Sequence, residues 1–347
     1  MTPALDSLGL FELAASLPKQ ASDARIVALG LDIRSIDPAH GAPAIRNVVA
    51  VGMGGSGIGG DIVAAIGQPV SPVPIVVIKD HHVPAFVSDE SLVIATSFSG
   101  RTAETLDALK SARHAGARIV VLSSGGAMAA LAREWNVPHV ALDASIAMDR
   151  AAIAAVSMPP LVLLGRLGLL PGIDADIDAA ITQLQRRVAQ MRDERNPARE
   201  LARRLGRTMP LIYGAGPIGG VAAYRWKCQL NENAKEPAFS NVVPELDHNE
   251  LAGWGQHGDM TRQVLTAVHL RHDFEPPRVA RAFEFIGETQ QEVVASVHEI
   301  RAEGGGRLAQ LFDLVAFGDF VSLFVAAQEG LDPGPVPVLD ELEQRLG

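Results

Sequence analysis

One loop of this chain offers an anion a seat made of hydroxyl groups. Leu92-Val-Ile-Ala-Thr-Ser-Phe-Ser-Gly-Arg-Thr-Ala-Glu-Thr105 runs from an apolar strand into a stretch that reads as a helix over 103–115. Ser97, Ser99 and Thr102 fall just before and within its first turn. Backbone N–H groups lack intrahelical partners there, and the peptide dipoles present their positive end. Ser-x-Ser-Gly-x-Thr thus sets hydroxyls beside free amides, a cradle for a dianion such as phosphate that needs no lysine. Ser99 also reads as an N-cap of the helix, with Glu104 supporting the first turn by its charge. A second feature, Gly52-Met-Gly-Gly-Ser-Gly57, contains the Gly-x-Gly-x-x-Gly pattern of dinucleotide-binding turns, which is weak by itself. A nucleotide fold also wants an acidic residue after its second strand. Pro74-Ile-Val-Val-Ile78 is followed by Lys79-Asp80, so that segment leaves a nucleotide open. The Ser56 hydroxyl in the turn favours a phosphorylated sugar.

These residues need elements to hold them, and an internal repeat supplies the plan. Asn47-Val-Val-Ala-Val followed by Gly-rich sequence to Asp61 resembles Pro210-Leu-Ile-Tyr-Gly-Ala-Gly-Pro-Ile-Gly-Gly-Val221. Each is a short apolar run, a glycine turn and a helix-forming stretch, the pattern of a buried parallel strand entering a helix. Further apolar runs at 74–78, 92–96, 117–122 and 137–142 alternate with helical patterns, which predicts a parallel sheet covered on both faces. In the second half, 263–270 and 307–312 are expected to supply strands. The polar stretch from Asp174 to Arg204 reads as a helix bridging two lobes, and 338–346 as a last short helix.

Composition narrows the function classes. The net charge is −10 with no basic block, which argues against a nucleic-acid-binding face. The single cysteine, Cys228, precludes an intramolecular disulfide, and no Cys/His cluster has zinc spacing. The N-terminal stretch contains Asp6 and Glu12, lacks a basic region and reads as an amphipathic helix, not a signal peptide. The longest uncharged apolar stretch, Ala151 to Leu164, is too short to span a bilayer, so a soluble, cytoplasmic protein with no membrane partner is expected.

The Ser-x-Ser-Gly-x-Thr-x-Glu-Thr loop resembles the phosphate loop of the sugar isomerase domain family. The likeness sharpens at Gly52-Met-Gly-Gly-Ser-Gly-Ile-Gly-Gly-Asp61, at Asn231-Glu-Asn-Ala-Lys-Glu-Pro-Ala-Phe239 and at Pro244-Glu-Leu-Asp-His-Asn-Glu250. Together these motifs are similar to the bifunctional phosphoglucose/phosphomannose isomerases. That resemblance implies an α/β chain of two doubly wound sugar-isomerase-type lobes, each a parallel sheet flanked by helices. The expected ranges are an N-terminal helical segment at 1–45, a first sugar isomerase domain at 46–171, a bridging helix at 172–204, a second domain at 205–330 and a C-terminal tail and helix at 331–347. It further implies a homodimer with shared active sites, no metal, no cofactor, and interconversion of glucose or mannose 6-phosphate with fructose 6-phosphate.

Such chemistry opens a sugar ring and shuttles one proton through a cis-enediol. The resemblance implies Glu232 as the proton-moving base. A partly desolvated carboxylate suits that task, although a Glu at a helix end is also commonly a solvated surface group. It implies His248, 16 residues further on, as the group that assists ring opening from the partner subunit. A loop histidine bonded to Asp247 or Glu250 is the plainer reading. It implies Arg150 as the cation beside the enediolate, against a simple pairing with Asp149, which replaces the family's proline. Gly55, Ser56, Ser97, Ser99 and Thr102 are the expected phosphate-binding set. The family's C-terminal lysine is missing: Glu343 stands in its place, with Arg345 nearby. A phosphosugar-binding protein with little or no turnover is therefore the alternative.

Overall fold

The apolar runs become two parallel sheets. A computed structural model describes residues 5–346, in two compact units. One comprises 16–182 with 306–308; the other comprises the described residues before 16, then 183–305 and those from 309 onwards. In chain order, α1 (Leu10–Ala15) and α2 (Leu17–Leu29) lead into β1 (Asn47–Val51), α3 (Gly54–Gly67), β2 (Ile75–Ile78) and β3 (Ser91–Thr96). Next come α4 (Ala103–His114), β4 (Arg118–Ser123), α5 (Gly126–Glu134), β5 (His139–Ala141) and α6 (Ile153–Arg166). Helices α7 (Ile173–Arg192) and α8 (Pro197–Leu205) precede β6 (Met209–Ala215), α9 (Gly216–Asn233), β7 (Phe239–Val243), α10 (Gly258–Val264) and β8 (Leu265–Arg271). The chain continues through α11 (Pro277–Gln291), β9 (Ser296–Arg301), α12 (Arg307–Gln328) and α13 (Pro337–Leu346).

In the first unit all strand pairs are parallel and the order is β2-β1-β3-β4-β5. Every residue of β3 and β4 is buried, as expected of strands with helices on both faces. The chain leaves β1 for β2 on one side and returns to β3 on the other. A ligand crevice is expected at such a reversal, beyond the strand C-termini. Helix α6 is buried from Ile153 to Leu164 and presses against α3, where a Cβ on Gly59 would lie 3.0 Å from Val156 Cγ2. The Arg118 guanidinium donates through Nη1 to the carbonyls of Ile36 and Pro43 and through Nη2 to that of Ala44.

The second unit repeats the theme with the order β7-β6-β8-β9, again all parallel. Helix α12 is long and apolar enough to cross a membrane, yet its apolar window is wholly buried in the protein. Two carboxylates inside it explain how a core helix tolerates charge. Asp313 receives Arg187 Nε at 2.7 Å and Nη2 at 2.6 Å, and Asp319 receives Arg225 Nε at 3.0 Å and Nη2 at 2.9 Å. Buried ions persist only when paired and hydrogen-bonded in this way.

Three expectations about local structure need correction. Residues 307–312 form the start of α12, and the edge strand is β9. Six apolar-rich residues are too few to separate a strand from a buried helix, and the preceding Gly304-Gly305-Gly306 breaks the chain before the helix begins. The strand expected at 263–270 starts at Leu265, because Gln263 and Val264 close α10. The stretch 174–204 is two helices. Asn196 is held extended before Pro197, and its side chain accepts from Arg199 N to cap α8. A residue preceding proline is pushed out of the helical region, so no helix runs through Asn196; α7 closes at Arg192, and Asn196 Nδ2 donates to Met191 O and Asp193 O at its end.

Candidate active site

At the β1/β3 reversal two loops meet. Ser56, in the first turn of α3, is only 5% exposed, and its Oγ accepts from Phe98 N at 3.2 Å. It therefore braces the loop after β3. In that loop Ser97 is buried, with its Oγ 2.8 Å from Thr102 Oγ1 and accepting from Gly100 N at 3.1 Å. Phe98 O accepts from both Ser124 N (2.9 Å) and Ser124 Oγ (2.7 Å), and Gly100 O accepts from Met128 N at 3.0 Å. Gly100 sits at φ +66°, where an added Cβ would lie 2.0 Å from Gly125 O. Only glycine fits that position. The loop is locked on three sides and open on one, where Ser99 is exposed and Thr102 half-buried.

The expected capping role of Ser99 is not realised. Helix α4 begins at Ala103, Thr102 occupies its N-cap without a side-chain capping bond, and Ser99 Oγ accepts only a 3.3 Å contact from Arg101 N. Thr102 instead turns its hydroxyl to Ser97, which leaves the first amides of α4 unclaimed by either hydroxyl. Glu104 lies in the first turn as expected. Gly55 supports the neighbouring residue of interest: a Cβ there would meet Asp149 O at 3.1 Å and Arg150 Cα at 3.3 Å. Arg150 is 4% exposed in a short 3-10 turn, and its backbone N donates to Asp149 Oδ1 at 2.7 Å. The first unit thus holds Gly55, Ser56, Ser97, Ser99, Thr102 and Arg150 on the loops and first helical turns that follow its strands.

Glu232 and His248 lie in the second unit. Glu232 is half-buried in the last turn of α9, and the asparagines beside it clamp that turn. Asn231 Nδ2 donates to Glu236 O at 2.8 Å, Asn233 Nδ2 to Ser322 Oγ at 3.0 Å, and Lys235 Nζ to Glu232 O at 2.6 Å. His248 is exposed at the end of a 3-10 turn over Glu245–His248. Glu250 does not serve it: that carboxylate accepts from Tyr213 Oη and, at 2.6 Å, from Asn241 Nδ2. Burial and the adjacent Glu250 charge push the Tyr213 phenol well above its ordinary value. This tether of the His248 loop was not legible in the sequence, because Tyr213 lies 37 residues from Glu250. The Gly125-Gly126 turn that locks the cradle was also missed. Its signal was the Ser123-Ser124-Gly125-Gly126 run directly after β4.

The repeat does not duplicate the cradle. After β8 the sequence reads His272-Asp273-Phe274-Glu275. Glu275 takes Arg271 in bidentate fashion (Nε at 2.9 Å, Nη2 at 2.7 Å) and also accepts His272 N at 2.8 Å. An acidic side chain already occupies the place an anion would need.

Two parallel-sheet units, one with a hydroxyl loop at its strand reversal, define the sugar isomerase class of fold. A model of the bacterial phospho-glucose isomerase C-terminal SIS domain matches residues 194–346. The chain is 33% identical to a bifunctional phosphoglucose/phosphomannose isomerase of Caldicellulosiruptor bescii, over 97% of this chain and 98% of that one. It is also 33% identical to one of Thermoplasma acidophilum, over 86% and 89% of the two chains. The fold is shared with the tagatose-6-phosphate ketose/aldose isomerase of Escherichia coli, with a TM-score of 0.67 at 15% identity over 96% of each chain. The chain belongs to the bifunctional phosphoglucose/phosphomannose isomerase family.

Proposed function

We propose that this protein is an aldose–ketose isomerase that interconverts glucose 6-phosphate, mannose 6-phosphate or both with fructose 6-phosphate. The observation that carries the reading is the locked Ser97–Thr102 cradle in a chain that matches such isomerases from end to end. Ser97, Ser99 and Thr102, with the first amides of α4, hold the 6-phosphate, while Ser56 and Gly55 fix the loops around it. His248 delivers a proton to the ring oxygen. Glu232 then takes the C2 proton of the open aldose and returns it to C1 through a cis-enediol. The buried Arg150 guanidinium offsets the charge of the enediolate. In this reading the carboxylate moves the carbon-bound proton, the imidazole protonates the ring oxygen as the anomeric hydroxyl yields its proton to water, and no metal takes part. The working form in this reading is a cytoplasmic homodimer in which each copy lends its His248 to the other.

Binding without turnover rests on the absent C-terminal lysine alone. The corresponding Glu343 is exposed on α13. A coupled assay of fructose 6-phosphate formation from each aldose phosphate separates the readings, run beside Glu232→Gln and Glu343→Lys. Turnover abolished by Glu232→Gln is expected. Sugar-phosphate binding with no turnover in the unsubstituted protein would overturn the isomerase.

A further inference from the structure

The loop that carries His248 is fixed to its sheet by a carboxylate. Residues 245–248 and 250–253 form two 3-10 turns, and turns this short open at little cost unless something outside them holds them. At one end Leu246 is wholly buried in the same core cluster as Tyr213 and Val243. At the other, Leu251 and Trp254 pack against that cluster. Apolar contacts are non-directional, so they hold the loop down without fixing its angle. Direction comes from the half-buried Glu250, whose two oxygens accept from different donors. Tyr213 Oη donates to Oε1, and Asn241 Nδ2 donates to Oε2 at 2.6 Å.

Both donors stand on the sheet. Tyr213 in β6 and Asn241 in β7 are register partners, so their side chains leave the same face of two hydrogen-bonded strands. Neither is free to turn away. Tyr213 is 1% exposed and stacks on His269 with ring centroids 5.9 Å apart, and burial raises its phenol so that the hydroxyl stays protonated. Asn241 Oδ1 accepts from Val242 N at 2.8 Å, which keeps the amide nitrogen towards Glu250. On the loop itself, Asn249 Oδ1 accepts from Glu250 N at 2.6 Å, and Asn249 Nδ2 donates to Glu245 O at 3.1 Å. One side chain thus braces the turn on both sides of His248.

From this convergence we infer that Glu250 is the positioning residue for His248: it holds the loop, and through it the imidazole, where a proton can reach the ring oxygen. The inference rests on the isomerase reading above and adds Tyr213 and Asn241 as the supports of that histidine. A proton donor must stand within hydrogen-bond reach of its acceptor, and a displacement of about 1 Å costs on the order of 100-fold in rate. The phosphate seat, not this loop, holds the substrate, so the loss belongs in kcat with KM little changed.

A double-mutant cycle separates positioning from packing. In steady-state kinetics on glucose 6-phosphate and mannose 6-phosphate, Glu250→Ala should lower kcat about 10- to 100-fold. In a His248→Ala background, where spontaneous ring opening leaves a residual rate, the same change should cost less than about twofold. Tyr213→Phe, which removes one of the two bonds and keeps the ring, should fall between Glu250→Ala and the parent. Glu250→Gln with Asn241→Asp exchanges amide and carboxylate and keeps both contacts, so it should recover the kcat that Glu250→Gln alone loses. Equal losses with and without His248, a loss confined to KM or to the urea midpoint, or an exchange no better than Glu250→Gln alone would each overturn the inference. A parent chain that turns over neither aldose phosphate sinks the isomerase and the positioning role together. Turnover in the parent with an additive cycle sinks only the positioning role.

Discussion

Ser99→Ala separates anion binding from folding more cleanly than any other change in the cradle. Ser99 is exposed, and its hydroxyl makes one long contact, the 3.3 Å bond from Arg101 N. Losing that contact should cost no more than about 0.5 kcal/mol of stability, the usual scale for surface substitutions. The hydroxyl's bond to a bound dianion is charge-assisted and worth roughly 1.5–3 kcal/mol. At about 1.4 kcal/mol per tenfold, kcat/KM for a hexose 6-phosphate should fall roughly 10- to 100-fold. The loss should appear mainly in KM, since the phosphate is held alike in ground and transition states. Ser97→Ala is the control with the opposite balance. Its hydroxyl is buried, pairs with Thr102 Oγ1 at 2.8 Å and accepts Gly100 N at 3.1 Å, so stability should fall too, by about 1–3 kcal/mol. Steady-state kinetics with a coupled assay and urea unfolding of both variants provide the comparison. A Ser99→Ala protein whose kcat/KM stays within about twofold of the parent would refute the cradle as a phosphate seat.

Glu232→Gln should lower kcat by about 10²–10⁴-fold while fructose 6-phosphate still binds, measured by turnover beside calorimetry. Asp319→Ala leaves the Arg225 guanidinium buried without its carboxylate and should cost about 3–5 kcal/mol in urea unfolding, against little change from a surface carboxylate such as Glu134. His269 is buried against Tyr213 and Gln290, and burial lowers its pKa from 6.5. The unfolded chain therefore binds more protons below about pH 6.5, and the urea midpoint should drop as pH falls from that value towards the folded pKa. Because Glu275 fills the position after β8, calorimetry should find one phosphosugar per chain, abolished by Ser97→Ala with Ser99→Ala; two equivalent sites would contradict the asymmetry.

The sheets were legible because their strands are continuous apolar runs bounded by glycine turns, a pattern that burial on both faces requires. The hydroxyl loop was legible for a related reason. Its serines and threonine are spaced for a helix mouth. What failed was local. Residues 307–312 carry too few periods to show a helix, and the single helix expected over 174–204 is divided where Asn196 and Pro197 stop it. Spacing alone puts Ser99 at the helix cap, but Thr102 spends its hydroxyl on Ser97, and the helix starts later than the serine could reach. Contacts between residues distant in sequence, such as Tyr213 with Glu250 or Arg225 with Asp319, leave no periodic trace. A buried arginine and a surface arginine look alike until the fold is known.

The asymmetry of the repeat follows from what each strand reversal must satisfy. Both units place a loop at the carboxyl end of the strand after the reversal. In the first, Gly100 allows the loop to fold against Gly125, and hydroxyls rather than charges satisfy its interior, so the amides of α4 keep their affinity for an anion. In the second, Arg271 is a buried cation at the end of β8, and burial demands a counter-charge. Glu275 provides it and claims the His272 amide as well. A carboxylate fixed there repels a phosphate as effectively as it stabilises the arginine. The second unit can therefore keep the fold while its loops and helix ends, including α9 with Glu232, are free to carry different chemistry. Replacing Glu275 by a neutral residue would strip Arg271 of its counter-charge on that side and leave Glu299, 2.7 Å from Nη1, to pair it.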